Sequence, residues 1–190
     1  MSRGITASQT VGPFFAYALT PEPDGFTPLV GNLLRTPDAE GSAIRIEGRV
    51  FDGVGDPVPD AMIEIWQADG AGVYARDFPS GSNHKFRGFG RCETKLGVFA
   101  FETVMPGSTG GPDGSIQAPH VNVGLFARGL LKPLFTRVYF EDEPLNVKDA
   151  ILNLVPEERR NTLIAKQVSP GAYAFDIYMQ GPNETVFFEA

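Results

Sequence analysis

Two histidines, His84 and His120, and a single cysteine, Cys92, are this chain's whole supply of imidazole and thiol. That supply excludes an internal disulfide and any zinc cage built on cysteine. His84 sits in the polar stretch SGSNHK (80–85) and reads as a solvated loop residue. Cys92 falls inside a strand pattern, where a small buried hydrophobe is the better reading than a nucleophile. His120 is more informative, because it opens a strand directly after a long loop, a place from which a side chain can point into a cleft. A lone histidine there is more often structural than a ligand. The residue two beyond it is Asn122, a hydrogen-bonding group but a poor transition-metal ligand, so neither HxH nor HExxH is formed. GxSxG, GxGxxG and GxxxxGK[ST] are also absent, which disfavours a hydrolase elbow and nucleotide-binding α/β folds. Glu141, Asp142 and Glu143, before Pro144, read as a solvated turn rather than an acid/base pair. Arg128 and Arg137 flank GLLKPLFT (129–136); each is either an exposed cation or a forked clamp for an anionic ligand, and composition leaves both open.

The elements that must position these residues are strands. With 22 Gly and 16 Pro in 190 residues, a helical bundle is excluded, because both residues break helix interiors. From Ala43, Ile44, Ile46, Gly48 and Val50 alternate with Arg45, Glu47 and Arg49, the period-2 pattern of a half-buried strand. Further strands are expected over 61–69, 87–94, 98–105, 119–127, 134–140 and 172–180. KLG (95–97) signals a hairpin between the third and fourth of these, and PGSTGGPDGSIQA (106–118) a long loop. One helical stretch is expected near 146–166, with Asn146 as N-cap and Pro156 dividing it. Seven or so short strands separated by turns imply an all-β fold, a β-sandwich with one or two short helices. Residues 1–42 are too rich in Pro and Gly for regular structure, yet carry Phe14, Phe15, Tyr17, Leu19, Phe26, Leu29, Leu33 and Leu34. They are expected to form an extended arm packed on this chain's own domain, 43–190, or on a partner.

The net charge of -7 disfavours nucleic acid as a partner. No uninterrupted apolar run approaches the ~18 residues of a membrane span. The opening MSRGITASQTVGPFF lacks an apolar core of signal-peptide length, so a cytoplasmic protein is expected, and the sequon Asn183-Glu184-Thr185 is discounted on the same ground.

Four long segments resemble the intradiol ring-cleavage dioxygenases: ITASQTVGPFFAYAL (5–19), GRVFDGVGDPVPDAMIEIWQADGAGVY (48–74), GFGRCETKLGVFAFETVMPG (88–107) and PHVNVGLFARGLLKPLFTRVYFEDEPLN (119–146). The resemblance covers nearly the whole chain and is strongest to the α-type subunits of heteromeric members. It implies a non-haem Fe(III) centre held elsewhere by two Tyr and two His. In this chain Ser108 stands where a family ligand Tyr would be, His120-Val121-Asn122 replaces His-x-His, and Gln117 replaces an Arg. The other ligand Tyr is sought in the loop after Tyr74, ARDFPSGSNHKF (75–86), which has none. Three of four ligands are thus expected to be missing and the site to be vestigial.

The resemblance further implies that Fe(III) is bound by a homologous β chain, with which this chain forms an αβ protomer and a higher oligomer. The implied substrates are protocatechuate and O2 and the product 3-carboxy-cis,cis-muconate, a step of aromatic catabolism in the β-ketoadipate pathway. Thr10, Gly12, Pro13 and Phe14 of the arm are expected to wall the partner's pocket, and Arg128 to meet the substrate carboxylate, with Arg137 as the fallback. Catalysis without the β chain is not expected. Two other readings stand beside this one: a free-standing β-sandwich binding module, since sandwiches carry many functions, and a self-sufficient iron dioxygenase, which the missing ligands disfavour.

Overall fold

A computed structural model of the chain describes residues 18–37, 39–75, 86–95, 97–111 and 114–189. Eleven strands occur among them: β1 (Ala43–Phe51), β2 (Met62–Gln67), β3 (Phe89–Glu93), β4 (Val98–Val104), β5 (Thr109–Gly110), β6 (Ile116–Gln117), β7 (His120–Phe126), β8 (Leu134–Phe140), β9 (Ile164–Ser169), β10 (Ala172–Ala174) and β11 (Ile177–Tyr178). One layer runs β4-β1-β10-β9 and the other β3-β2-β7-β8. They join where β8 and β9 pair in parallel, Tyr139 opposite Ile164 and Phe140 opposite Ala165. The main core lies between the layers. Ile44, Ile46 and Val50 of β1 meet Ile63 and Ile65 of β2, Phe99 and Phe101 of β4, and Val121, Val123 and Leu125 of β7. β1 alternates exposed and buried residues along its length, as its sequence requires. Among the described residues no helix is long and apolar enough to cross a membrane.

Three expectations are corrected. Lys95 N donates to Val98 O at 2.9 Å where the hairpin turn was expected, but β3 and β4 are not a hairpin. β3 pairs with β2 and β4 pairs with β1 over seven residues, so the turn carries the chain from one layer to the other. The single helix expected over 146–166 is replaced by three 3-10 segments, Pro144–Lys148, Leu152–Leu154 and Glu157–Leu163, followed by β9. Glu143, not Asn146, caps the first, accepting from Leu145 N at 2.9 Å, while Asn146 Nδ2 donates to Phe140 O. The buried Asp149 carboxylate fixes this path by accepting from Ala118 N, Leu152 N and Tyr139 OH at 2.8, 2.7 and 3.0 Å. Three satisfied donors outweigh the weak helix propensity of a stretch holding Val147, Ile151, Val155 and Pro156. Finally, the expected strand 172–180 is split into β10 and β11. A Cβ on Gly48 would sit 1.7 Å from Phe175 O, so β1 admits the kinked chain only at a glycine.

The described part of the arm packs on this chain's own sandwich. Gly31 O accepts from Arg91 N of β3 at 3.0 Å, and Leu34 N donates to Glu102 O of β4 at 2.9 Å. Residues 31–34 therefore bridge the edges of the two layers on the side opposite the β8–β9 join. Val30 and Leu34 are buried, whereas Phe26, Leu29 and Leu33 are exposed.

Candidate functional site

The polar side chains gather on the outer face of the β2-β7-β8 sheet. Pairing aligns Trp66 with Asn122, Glu64 with Gly124, Asn122 with Arg137 and His120 with Tyr139, so these residues share one face. The other face of the same strands supplies the core. The 144–163 segment covers part of this outer face through a second cluster, Ala118, Tyr139, Leu152, Val155 and Leu163.

Tyr74 enters from the loop after β2. Asp69 Oδ1 accepts from Ala71 N and Val73 N at 2.9 Å each, an Asx turn that reverses the chain. Gly72 has φ of 80°, and a Cβ there would lie 2.1 Å from Ser108 O. The turn brings the Tyr74 ring parallel to Trp66, with centroids 6.1 Å apart. His120 Nδ1 lies 2.7 Å from Ala118 O, which can only accept, so Nδ1 carries the proton and Nε2 is the acceptor. Tyr74 OH then donates to Nε2 at 3.2 Å and accepts from Asn122 Nδ2 at 3.1 Å. Asn122 Nδ2 also donates to Trp66 O at 3.1 Å. Burial holds the His120 pKa below the ordinary imidazole value, and the nearby Arg137 charge lowers it further. The imidazole is neutral at pH 7, as the tautomer argument needs.

Of the residues expected from sequence, His120 and Asn122 are brought together. Gln117 is adjacent, its Oε1 accepting from Arg137 Nη1 at 2.7 Å. Ser108 is exposed, with its carbonyl against Gly72. Arg128 lies beyond the far end of β7 from His120, exposed and ion-paired with Asp60. Thr10, Gly12, Pro13, Phe14 and His84 lie outside the described residues. Tyr74, which the sequence does not single out as a site residue, joins them because the DGAG turn (69–72) sends the chain back and sets its ring over Trp66.

Residues 27–181 match the family model Dioxygenase_C, a dioxygenase. The protocatechuate 3,4-dioxygenase alpha chain of Burkholderia cepacia is 46% identical over 198 residues, with 97% of this chain and 96% of that protein covered. This chain belongs to the intradiol ring-cleavage dioxygenases. The protocatechuate 3,4-dioxygenase beta chain of the same organism is 33% identical over 172 residues, covering 83% of this chain and 72% of that one. Among solved structures, the dioxygenase domain of a dioxygenase carbohydrate-binding protein fusion from Streptomyces sp. SirexAA-E is 26% identical, with a TM-score of 0.62 over 85% of this chain and 93% of that chain.

Intradiol dioxygenases work with ferric iron, and the residues at this site do not fit it. Asn122 presents an amide nitrogen whose protons are already donated, and such a nitrogen has no lone pair for a metal. Among the described residues no three of His, Cys, Asp and Glu gather. One imidazole and one phenol are too few for a ferric ion.

Proposed function

We propose that this chain is the iron-free α subunit of a heteromeric protocatechuate 3,4-dioxygenase of the cytoplasm, and that a homologous β chain holds the ferric ion. One observation carries the reading: in a chain 46% identical to an alpha chain over nearly its whole length, the face that holds His120 and Tyr74 adds only the Asn122 amide beside them, and no three of His, Cys, Asp and Glu gather among the described residues. The complex adds both atoms of O2 to protocatechuate, breaks the ring bond between the two hydroxyl-bearing carbons and yields 3-carboxy-cis,cis-muconate. The ferric ion supplies the Lewis-acid and redox chemistry.

This chain's residues shape and charge the pocket. The arm, 1–42, turns its exposed side to the β chain while Val30 and Leu34 stay in this chain's own sandwich; exposures of 68%, 85% and 59% at Phe26, Leu29 and Leu33 support a partner surface there. Thr10, Gly12, Pro13 and Phe14 wall the pocket, glycine letting the backbone approach a flat ring and Phe14 adding apolar surface. Arg128 meets the substrate carboxylate. Its pairing with Asp60 is at the surface, where ion pairs are weak, so a carboxylate can take its guanidinium over. The test is expression of the chain alone and together with a β chain, measuring iron, colour and turnover of protocatechuate. The chain alone is expected to hold no stoichiometric iron and to be inactive, and the pair to be coloured and active. Iron-dependent turnover by the chain alone overturns the reading.

A further inference from the structure

We propose that this chain has a ligand site of its own, a cavity on the outer face of β2, β7 and β8 that binds a small planar aromatic monocarboxylate through Arg137, with no metal and no requirement for ring hydroxyls. The inference goes beyond the α-subunit reading and does not rest on it. The cavity has a volume of about 420 Å³ and is lined by Trp66, Phe89, Gly124, Phe135, Ile151 and Arg137. Small-molecule sites have volumes of roughly 300–1,000 Å³ and apolar walls carrying a few placed polar groups.

Charge selects the ligand. Glu64 also lines the cavity, but Arg91 neutralises it, with Nε and Nη2 on Glu64 Oε1 at 2.8 and 2.5 Å. Arg137 has no such partner among the described residues. Its Nη1 donates to Gln117 Oε1 at 2.7 Å and to Tyr139 OH at 3.4 Å, both neutral. Asp149, on the far side of Tyr139, is spent on Ala118 N, Leu152 N and the Tyr139 hydroxyl. Nε and Nη2, the guanidinium edge that clamps a carboxylate with two parallel bonds, find no acceptor among the described residues. A half-buried cation left with neutral partners beside an apolar cavity favours an anion. The aromatic walls favour a ring on that anion, offset-stacked or edge-on against Trp66 and Phe135.

Trp66 is the only tryptophan of the chain and lies in the cavity wall, so its fluorescence reports occupancy directly. The full chain is titrated with benzoate and, as the neutral isostere, benzamide, by fluorescence and by calorimetry. Benzoate is expected to bind at one site with saturable quenching, and benzamide at least tenfold more weakly. Arg137→Gln is expected to weaken benzoate at least tenfold and leave benzamide unchanged. Gly124→Ala, whose Cβ meets neighbours no nearer than 3.4 Å, narrows the cavity and is expected to weaken both ligands, with an unchanged circular dichroism spectrum, and serves if Arg137→Gln does not fold. No saturable benzoate binding, equal affinity for benzoate and benzamide, or benzoate binding untouched by either substitution overturns the proposal. Binding is read on this chain alone and the α-subunit reading on turnover by the mixed complex, so the failure of one is distinguishable from the failure of the other.

Discussion

Along β7, Val121, Val123 and Leu125 face inward at 0%, 4% and 0% exposure, while His120, Asn122 and Gly124, one residue out of phase, face the opposite side. The inward set is uniformly apolar and lies in the main core with partners from both layers. The outward set carries an imidazole, an amide and a bare backbone, held by directional bonds beside a cavity. Period-2 geometry lets one strand do both, because substitutions on one face leave the other in place. Packing on the inner face thus supplies the larger share of the fold's stability, and the outer face is the one on which polar side chains can vary.

The comparison breaks most readily on the inner side. Leu125→Ala is expected to cost about 2–5 kcal/mol, read as a lowered denaturant midpoint at unchanged slope, because a fully buried site cannot collapse completely around the loss. A loss below about 1 kcal/mol would mean that the two faces share the load. The next effect is on the outer face and depends on pH. The His120 pKa is lower in the folded chain than in the unfolded one, so the unfolded state takes up a proton first as pH falls. Stability is expected to be full above about pH 6.5 and to decline below it until the folded pKa is reached, by at most about 1.4 kcal/mol per pH unit. His120→Gln removes that part of the slope, which pH-dependent denaturant titrations of the two proteins measure. Tyr74→Phe leaves His120 Nε2 without its donor and is expected to cost about 1 kcal/mol, with an unchanged fold by circular dichroism. Smallest in stability is Arg128→Ala, within about 0.5 kcal/mol for an exposed ion pair. In the complex with a β chain it is expected to raise KM for protocatechuate about tenfold with little change in kcat, while the melting temperature of the chain barely moves.

What the sequence made legible follows the same division. β1 and β8 were readable to within a residue because alternation or a continuous β-rich run marks a strand whose inner face is buried. β9 was not, since most of Ile164–Ser169 is exposed and only its first residues pair with β8. The strand of 172–180 looked continuous because nothing local announces that Phe175 O must pass over Gly48, more than a hundred residues away. On the outer face, His120 and Asn122 were legible by spacing, whereas Tyr74 was not: DGAG announces a turn, but not that the turn aims the following ring back over Trp66. Arg137 was left as a fallback to Arg128. The strand register separates them, one at the cavity and the other beyond the opposite end of β7.

The segment at 31–34 ties Arg91 of β3 to Glu102 of β4 while Leu29 and Leu33, beside those bonds, point to solvent. In the proposed complex the same few residues belong to two equilibria, closure of this chain's seam and capture of those leucines by the β chain. Thermodynamic linkage makes the two mutually reinforcing. A captured arm raises the free energy needed to open the seam, and an open seam withdraws the docking surface. In that proposed complex the chain's own integrity is coupled to the company it keeps.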